Sequence, residues 1–154
     1  MKGTNTVITP NISEVSAPDV GVWLTSDHVL PFNGPGAYAL RASRCTQCGQ
    51  AVFPASSICP FCLAEGGETL PLRGGATLYS FTRLHMGPKR WAAPYAVGYA
   101  DFPNGLRLFA KLSGADGTGE PWRINQPVEL VVEREAPSGE TPERFRYYFD
   151  KARP

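Results

Sequence analysis

Beyond Gly75 apolar residues recur at a spacing of two, the repeat of strands that turn one face to a core. Residues 77–84 read as a strand with Leu78 and Leu84 on one side and Tyr79 and Phe81 on the other. A polar loop over residues 85–91 leads to a second strand over 95–102. Pro103-Asn104-Gly105 is a hairpin signal, because Asn-Gly accepts the positive φ such turns require. The next strand sets Leu106, Leu108, Ala110 and Leu112 on one face, with Arg107, Phe109 and Lys111 on the other. A Gly-rich link over 114–119 crosses to Val128, Leu130 and Val132, and a last strand carries Phe145, Tyr147 and Phe149 beside Arg144, Arg146 and Tyr148.

Five strands with one tight hairpin and one irregular link fit a small OB-type barrel. An immunoglobulin-like sandwich needs about seven strands, more than residues 75–150 can hold. No convincing helix of more than two turns occurs.

Upstream the pattern differs. Residues 37–44 read as a strand, 50–54 lead away from it, 56–58 return, and 69–73 run extended. Residues 1–36 carry Pro10, Pro18, Pro31 and Pro35 with Gly21, Gly34 and Gly36, and no sustained period. Within them lie Val20, Val22, Trp23, Leu24, Val29, Leu30 and Phe32. An arm so apolar is expected to pack, on its own domain or on another chain, and a partly disordered terminus is the equally weighted competing reading. The predicted organisation is therefore all-β: an extended N-terminal arm over 1–36, a small module over 37–74 and the OB-type barrel over 75–150.

Four cysteines, the chain's whole complement, give the small module its chemistry. Cys45-Thr46-Gln47-Cys48 and Cys59-Pro60-Phe61-Cys62 each leave two residues between sulfurs, and ten residues separate the pairs. Two such turns supply the four tetrahedral thiolates that a structural zinc prefers. Iron takes the same ligands in a rubredoxin-like site, and two disulfides or buried thiols are the competing readings. Residues 1–6 have no signal-like apolar run behind them, so the expectation is a cytoplasmic chain whose thiols stay reduced. Gly49 follows the first pair, where positive φ is often needed. Leu63 holds that place after the second, predicting a slightly strained turn.

Composition narrows the function classes. Of 154 residues 42% are hydrophobic, enough for a real core, and fifteen prolines with sixteen glycines argue for short strands and turns. Fifteen basic and fourteen acidic residues leave a net charge of +1, a poor balance for neutralising many phosphates. Arginine nevertheless outnumbers lysine eleven to four, which suits a partner surface. His28 and His85 have no motif around them, and no paired carboxylates, P-loop or G-x-S-x-G elbow occurs. A tetrathiolate zinc is closed to substrate, and it leaves no nucleophilic thiol. The chain reads as non-catalytic by itself.

The order of features is similar to that of a known family. Arg44-Cys45-x-x-Cys48-Gly49, Pro54, Cys59-Pro60-x-Cys62 and the run from Gly74 to Thr82 resemble the bacterial and archaeal zinc-ribbon/OB-fold proteins associated with acyl-CoA enzymes. The likeness continues through Pro94-Tyr95-Ala96-Val97, Gly105-Leu106-Arg107-Leu108 and Pro127-Val128-Glu129-Leu130, and covers roughly residues 37–150. It implies a rubredoxin-like zinc ribbon, with Cys45, Cys48, Cys59 and Cys62 as ligands of one zinc. It also implies an accessory role beside a thiolase-fold protein (thiolase, acetyltransferase or aldolase), the benzoylsuccinyl-CoA thiolase being one setting. The chain departs from that pattern in its Pro-rich arm, where many relatives have a helical hairpin. It departs again at Ile124-Asn125-Gln126, where a glycine usually precedes the fourth strand.

Residues 85–91 are the best candidate contact with a CoA thioester: Lys89 and Arg90 could hold the diphosphate, with Trp91 a flat apolar neighbour. The competing reading is a solvated loop. The alternative function is a free-standing module binding single-stranded nucleic acid, through Arg107, Phe109 and Lys111 or through Arg144, Arg146 and Tyr148.

Overall fold

The computed structural model describes residues 22–34, 36–87, 93–114, 121–136 and 143–152. Among them all regular structure is extended, apart from one 3₁₀ turn at Ser26–His28. No helix in this set is long and apolar enough to cross a membrane. Ten strands follow in chain order: β1 Val22–Leu24, β2 Val29–Pro31, β3 Tyr38–Arg44, β4 Ala51–Val52, β5 Glu68–Leu72, β6 Gly74–Leu84, β7 Tyr95–Asp101, β8 Arg107–Leu112, β9 Pro127–Glu135 and β10 Arg144–Lys151.

The last five close a barrel. β6 pairs with β7, β7 with β8 and β9 with β10, all antiparallel; β8 pairs parallel with β10, and β6 antiparallel with β9 joins the two edges. The closing ladders are short: β8 meets β10 at Lys111 and Leu112, and β6 meets β9 over residues 74–77. The alternation sends Leu106, Leu108, Ala110 and Leu112 inward, together with Leu78, Val128, Leu130, Tyr147 and Phe149. Gly105, at φ +86, makes the turn before β8, and its N–H donates to the Phe102 carbonyl at 3.0 Å.

The second sheet is built on β3, which pairs with β2, β4 and β5. It lies against the barrel: Leu40, Ala42 and Leu72 belong to the same buried cluster as Phe149 and Val128. Tyr38 meets Phe145 edge-on at 5.0 Å between ring centroids, and Phe53 meets Tyr147 at 5.8 Å. Each such aromatic pair adds about 0.5–1.5 kcal/mol beyond the area buried.

The described part of the predicted arm packs on its own chain. β1 lies antiparallel on the first half of β10, Leu24 opposite Phe145, where β8 does not reach. The Arg144 guanidinium stacks 3.7 Å above the Trp23 ring. β2 joins the other sheet, so residues 22–31 take part in both.

The unusual approach to β9 has a simple cause. Asn125 adopts φ +65, its N–H donating to the Leu78 carbonyl at 2.8 Å, so asparagine supplies the left-handed conformation a glycine would otherwise give. One expectation is corrected. Lys111, placed on the polar outer face of its strand by alternation, is buried. It sits at the end of β8 that pairs with Tyr148 of β10, its ammonium 5.3 Å from the Tyr95 ring centroid.

Candidate metal centre

β3 ends where the first cysteine turn begins, so the strand aims Cys45 directly. The Cys45 N–H donates to the Gln50 carbonyl at 2.9 Å, and the Gly49 N–H returns to the Cys45 carbonyl at 3.0 Å. The second turn repeats this: Cys59 N–H to Ala64 carbonyl and Leu63 N–H to Cys59 carbonyl, both at 2.9 Å. The repeat extends to the backbone, with φ +71 at Gly49 and +61 at Leu63. The strained turn expected at Leu63 is therefore present.

These paired turns bring the four sulfurs together. Their Sγ atoms all lie within 4.8 Å of one another, and the nearest contacts cross between turns, Cys45 to Cys62 and Cys48 to Cys59, each 3.6 Å. That is far from the roughly 2.05 Å of a disulfide. It is close to the ~3.8 Å edge of a tetrahedron with metal–sulfur bonds of about 2.3 Å. Cys45 and Cys59 are buried while Cys48 and Cys62 are exposed, so the centre sits at the surface end of its sheet.

Proton affinities show why this donor set suits a cation. Backbone amides of Cys48 and Gln47 aimed at the Cys45 sulfur, the latter at 3.4 Å, draw its pKa down to about 6. At Cys62 the Ala64 amide also pulls downward, but hydrogen bonding with the Cys48 sulfur and desolvation outweigh it and push the thiol up to about 12. One sulfur ionises readily, while hydrogen bonding among the sulfurs and desolvation keep a neighbour protonated. A divalent cation relieves that competition by stabilising all four thiolates at once. The residues present fit a tetrathiolate metal, which would supply folding energy and leave no coordination position for substrate.

Arg44, which pattern reading used only as part of a motif, ties this centre to the barrel. Its Nη1 donates to the Gly49 carbonyl at 2.7 Å and its Nη2 to the Asn104 carbonyl at 3.1 Å. No periodicity argument could find a contact made by one guanidinium across sixty positions.

The other candidates lie elsewhere. Lys89, Arg90 and Trp91 fall outside the described residues. His28 is half-buried in the turn before β2, and His85 is exposed after β6. Among the described residues the four cysteines are the one cluster of three or more potential metal ligands. The cationic stripes proposed for nucleic acid are engaged within the fold. Arg107 donates through Nε and Nη2 to both carboxylate oxygens of Asp101, at 2.6 and 2.8 Å, which holds that carboxyl below its usual range. Its guanidinium also stacks 3.3 Å above the Tyr79 ring. Arg144 and Arg146 pair across the strands with Glu135 and Glu133, and Tyr148 donates to Glu133 at 2.8 Å. The exposed large apolar side chains of β6–β8 are aromatic, Tyr79, Phe81, Tyr99 and Phe109, with Tyr99 and Phe109 5.1 Å apart.

Comparison with known proteins gives a consistent picture. Residues 32–66 match the family described as ChsH2, rubredoxin-like zinc ribbon domain, and residues 70–133 match ChsH2, C-terminal OB-fold domain. The chain is 38% identical over 123 residues to the benzoylsuccinyl-CoA thiolase subunit BbsA of Thauera aromatica, covering 80% of this chain and 83% of that one. It is 34% identical over 115 residues to the subunit of that name from Geobacter metallireducens, 75% of each chain. A DUF35 domain-containing scaffold protein of Methanothermobacter thermautotrophicus is 29% identical over 109 residues, 69% of this chain and 80% of that. Among solved structures, the Ltp2-ChsH2(DUF35) aldolase superposes with a TM-score of 0.57 at 24% identity, covering 75% of this chain and 86% of that one. At that identity the likeness speaks for the fold alone.

Proposed function

Because this chain belongs to the ChsH2 family of zinc-ribbon/OB-fold proteins and is 38% identical to the benzoylsuccinyl-CoA thiolase subunit BbsA, we propose that it is the non-catalytic zinc subunit of a thiolase-type acyl-CoA enzyme. The relationship to BbsA, sustained over four-fifths of both chains, is the observation that carries this reading. In it the partner is a thiolase-fold polypeptide that supplies the nucleophile. The reaction is C–C cleavage or acyl transfer on a CoA thioester, benzoylsuccinyl-CoA among the substrates in view.

The chain's own residues support that division of labour. Cys45, Cys48, Cys59 and Cys62 converge on one point, so in the metal-bound protein no thiolate is left to attack an acyl group. When bound, zinc would fix the ribbon's shape. Arg44 holds the first cysteine turn to the barrel, so the metal end and the barrel meet a partner as one unit. Lys89 and Arg90 are proposed to meet the CoA diphosphate, with Trp91 beside them, and the setting is proposed to be the cytoplasm. The groups that would have bound nucleic acid are engaged with Asp101, Glu133 and Glu135.

Copurification from the native host tests the reading. A thiolase-fold polypeptide should be recovered with the chain, and acyl-CoA turnover should require both. Turnover by the isolated chain, or its recovery without a thiolase-fold protein, would contradict it.

A further inference from the structure

The two cysteine turns share one backbone and present opposite chemistry. Gln47 and Gly49 of the first correspond to Phe61 and Leu63 of the second. At φ +61 a leucine is strained by its Cβ where glycine would not be. The fold recovers little of that strain through packing: Leu63 is 77% exposed, and Phe61 and Ile58 are 64% and 51% exposed. An apolar side chain that is both strained and solvated serves something outside the chain.

Charge says what that is. From Cys45 to Leu72 there is no lysine, arginine or histidine, and the carboxylates are Glu65 and Glu68, both exposed; the cation held at this end is Arg44, on the Gly49 carbonyl of the first turn and not on the second. Glu65 is bridged to Ile58 at the edge of the apolar group. A metal-loaded tetrathiolate adds negative charge, since four thiolates exceed one divalent ion. Such a tip repels nucleic acid and anionic bilayers, and it complements a cationic protein surface.

We propose that the second cysteine turn is a docking tip: Phe61 and Leu63, flanked by Ile58, enter an apolar recess on the thiolase-fold subunit whose rim carries lysine or arginine facing Glu65. This rests on the function proposed above. The turn's hydrogen bonds hold Leu63 in place before contact, so little ordering entropy is lost on binding.

The test uses the full, zinc-loaded chain and the thiolase-fold polypeptide recovered with it. Leu63→Gly should retain zinc and melt at or above the wild-type temperature, yet bind that polypeptide at least about tenfold more weakly. Phe61→Ser should weaken binding similarly at unchanged zinc content. Glu65→Lys should slow association and flatten its dependence on salt. Wild-type affinity in Leu63→Gly and Phe61→Ser would overturn the docking tip while leaving the accessory function standing. A Leu63→Gly melting point several degrees lower would make the leucine structural and overturn it too. If the wild-type chain recovers no thiolase-fold protein, both proposals fall.

Discussion

The Nη2 of Arg44 donates to the main-chain carbonyl of Asn104 at 3.1 Å, joining the strand that feeds the metal centre to the hairpin turn between β7 and β8. Its Nη1 meanwhile holds the Gly49 carbonyl at 2.7 Å. Hydrogen bonds from a charged donor are stronger than neutral ones, and partial exposure tempers that here. Arg44→Ala should therefore cost about 1–2 kcal/mol in urea unfolding, with zinc content unchanged. Lysine has a single point of donation, so Arg44→Lys should recover only part of the loss. An unaltered midpoint in Arg44→Ala would show the link to be inert.

The strands were legible because alternation is a local signal. Leu106, Leu108, Ala110 and Leu112 face the core as their spacing required, and the cysteine spacing brought four sulfurs to one point. Lys111 was misplaced because the alternation of β8 could not register what surrounds its end, where β10 pairs beside it and the Tyr95 ring lies 5.3 Å from its ammonium. The pairing of β1 with β10 was equally invisible, since three residues carry no period. Trp122 had no assigned role in the sequence. It is buried, and its Nε1 donates to the Ser113 carbonyl at 3.2 Å, a contact that depends on loop geometry.

Alkaline pH should unfold the barrel before it would otherwise yield. Burial pushes the Tyr147 phenol up to about 12, because its anion is desolvated. The folded value lies above the ordinary 10, so this contribution is complete below pH 10 and fades as pH rises toward 12. On the order of 2 kcal/mol is at stake. Tyr148, also raised to about 12 by desolvation and by its bond to Glu133, acts in the same direction. Tyr147→Phe should flatten the stability profile between pH 10 and 12 in chemical denaturation. A profile as steep as the wild type would refute the assignment.

Charge reversal at Lys89 and Arg90 should raise the KM for CoA substrates in the complex, leaving kcat nearly unchanged, if these groups hold the diphosphate. One lost charge-assisted contact corresponds to about a tenfold change or more. Steady-state kinetics of the double variant decide it, and an unchanged KM would return residues 85–91 to a solvated loop.

Removing one sulfur should undo more than one bond. Structural zinc sites contribute on the order of 10 kcal/mol to folding, so Cys59→Ser should lose both metal and a cooperative melt. Cys59 is buried, which leaves little room for water to replace the missing ligand. Elemental analysis with thermal unfolding measures both. Full loss of zinc beside a wild-type melting curve would separate the metal from the fold.

The central claim is that this chain spends all four sulfurs on a metal and leaves catalysis to another polypeptide. Native mass spectrometry of the assembly purified from its own host measures this most directly. The expected mass contains this chain with one zinc bound per copy, together with a thiolase-fold subunit. A metal-free chain with no thiolase-fold companion would contradict the account.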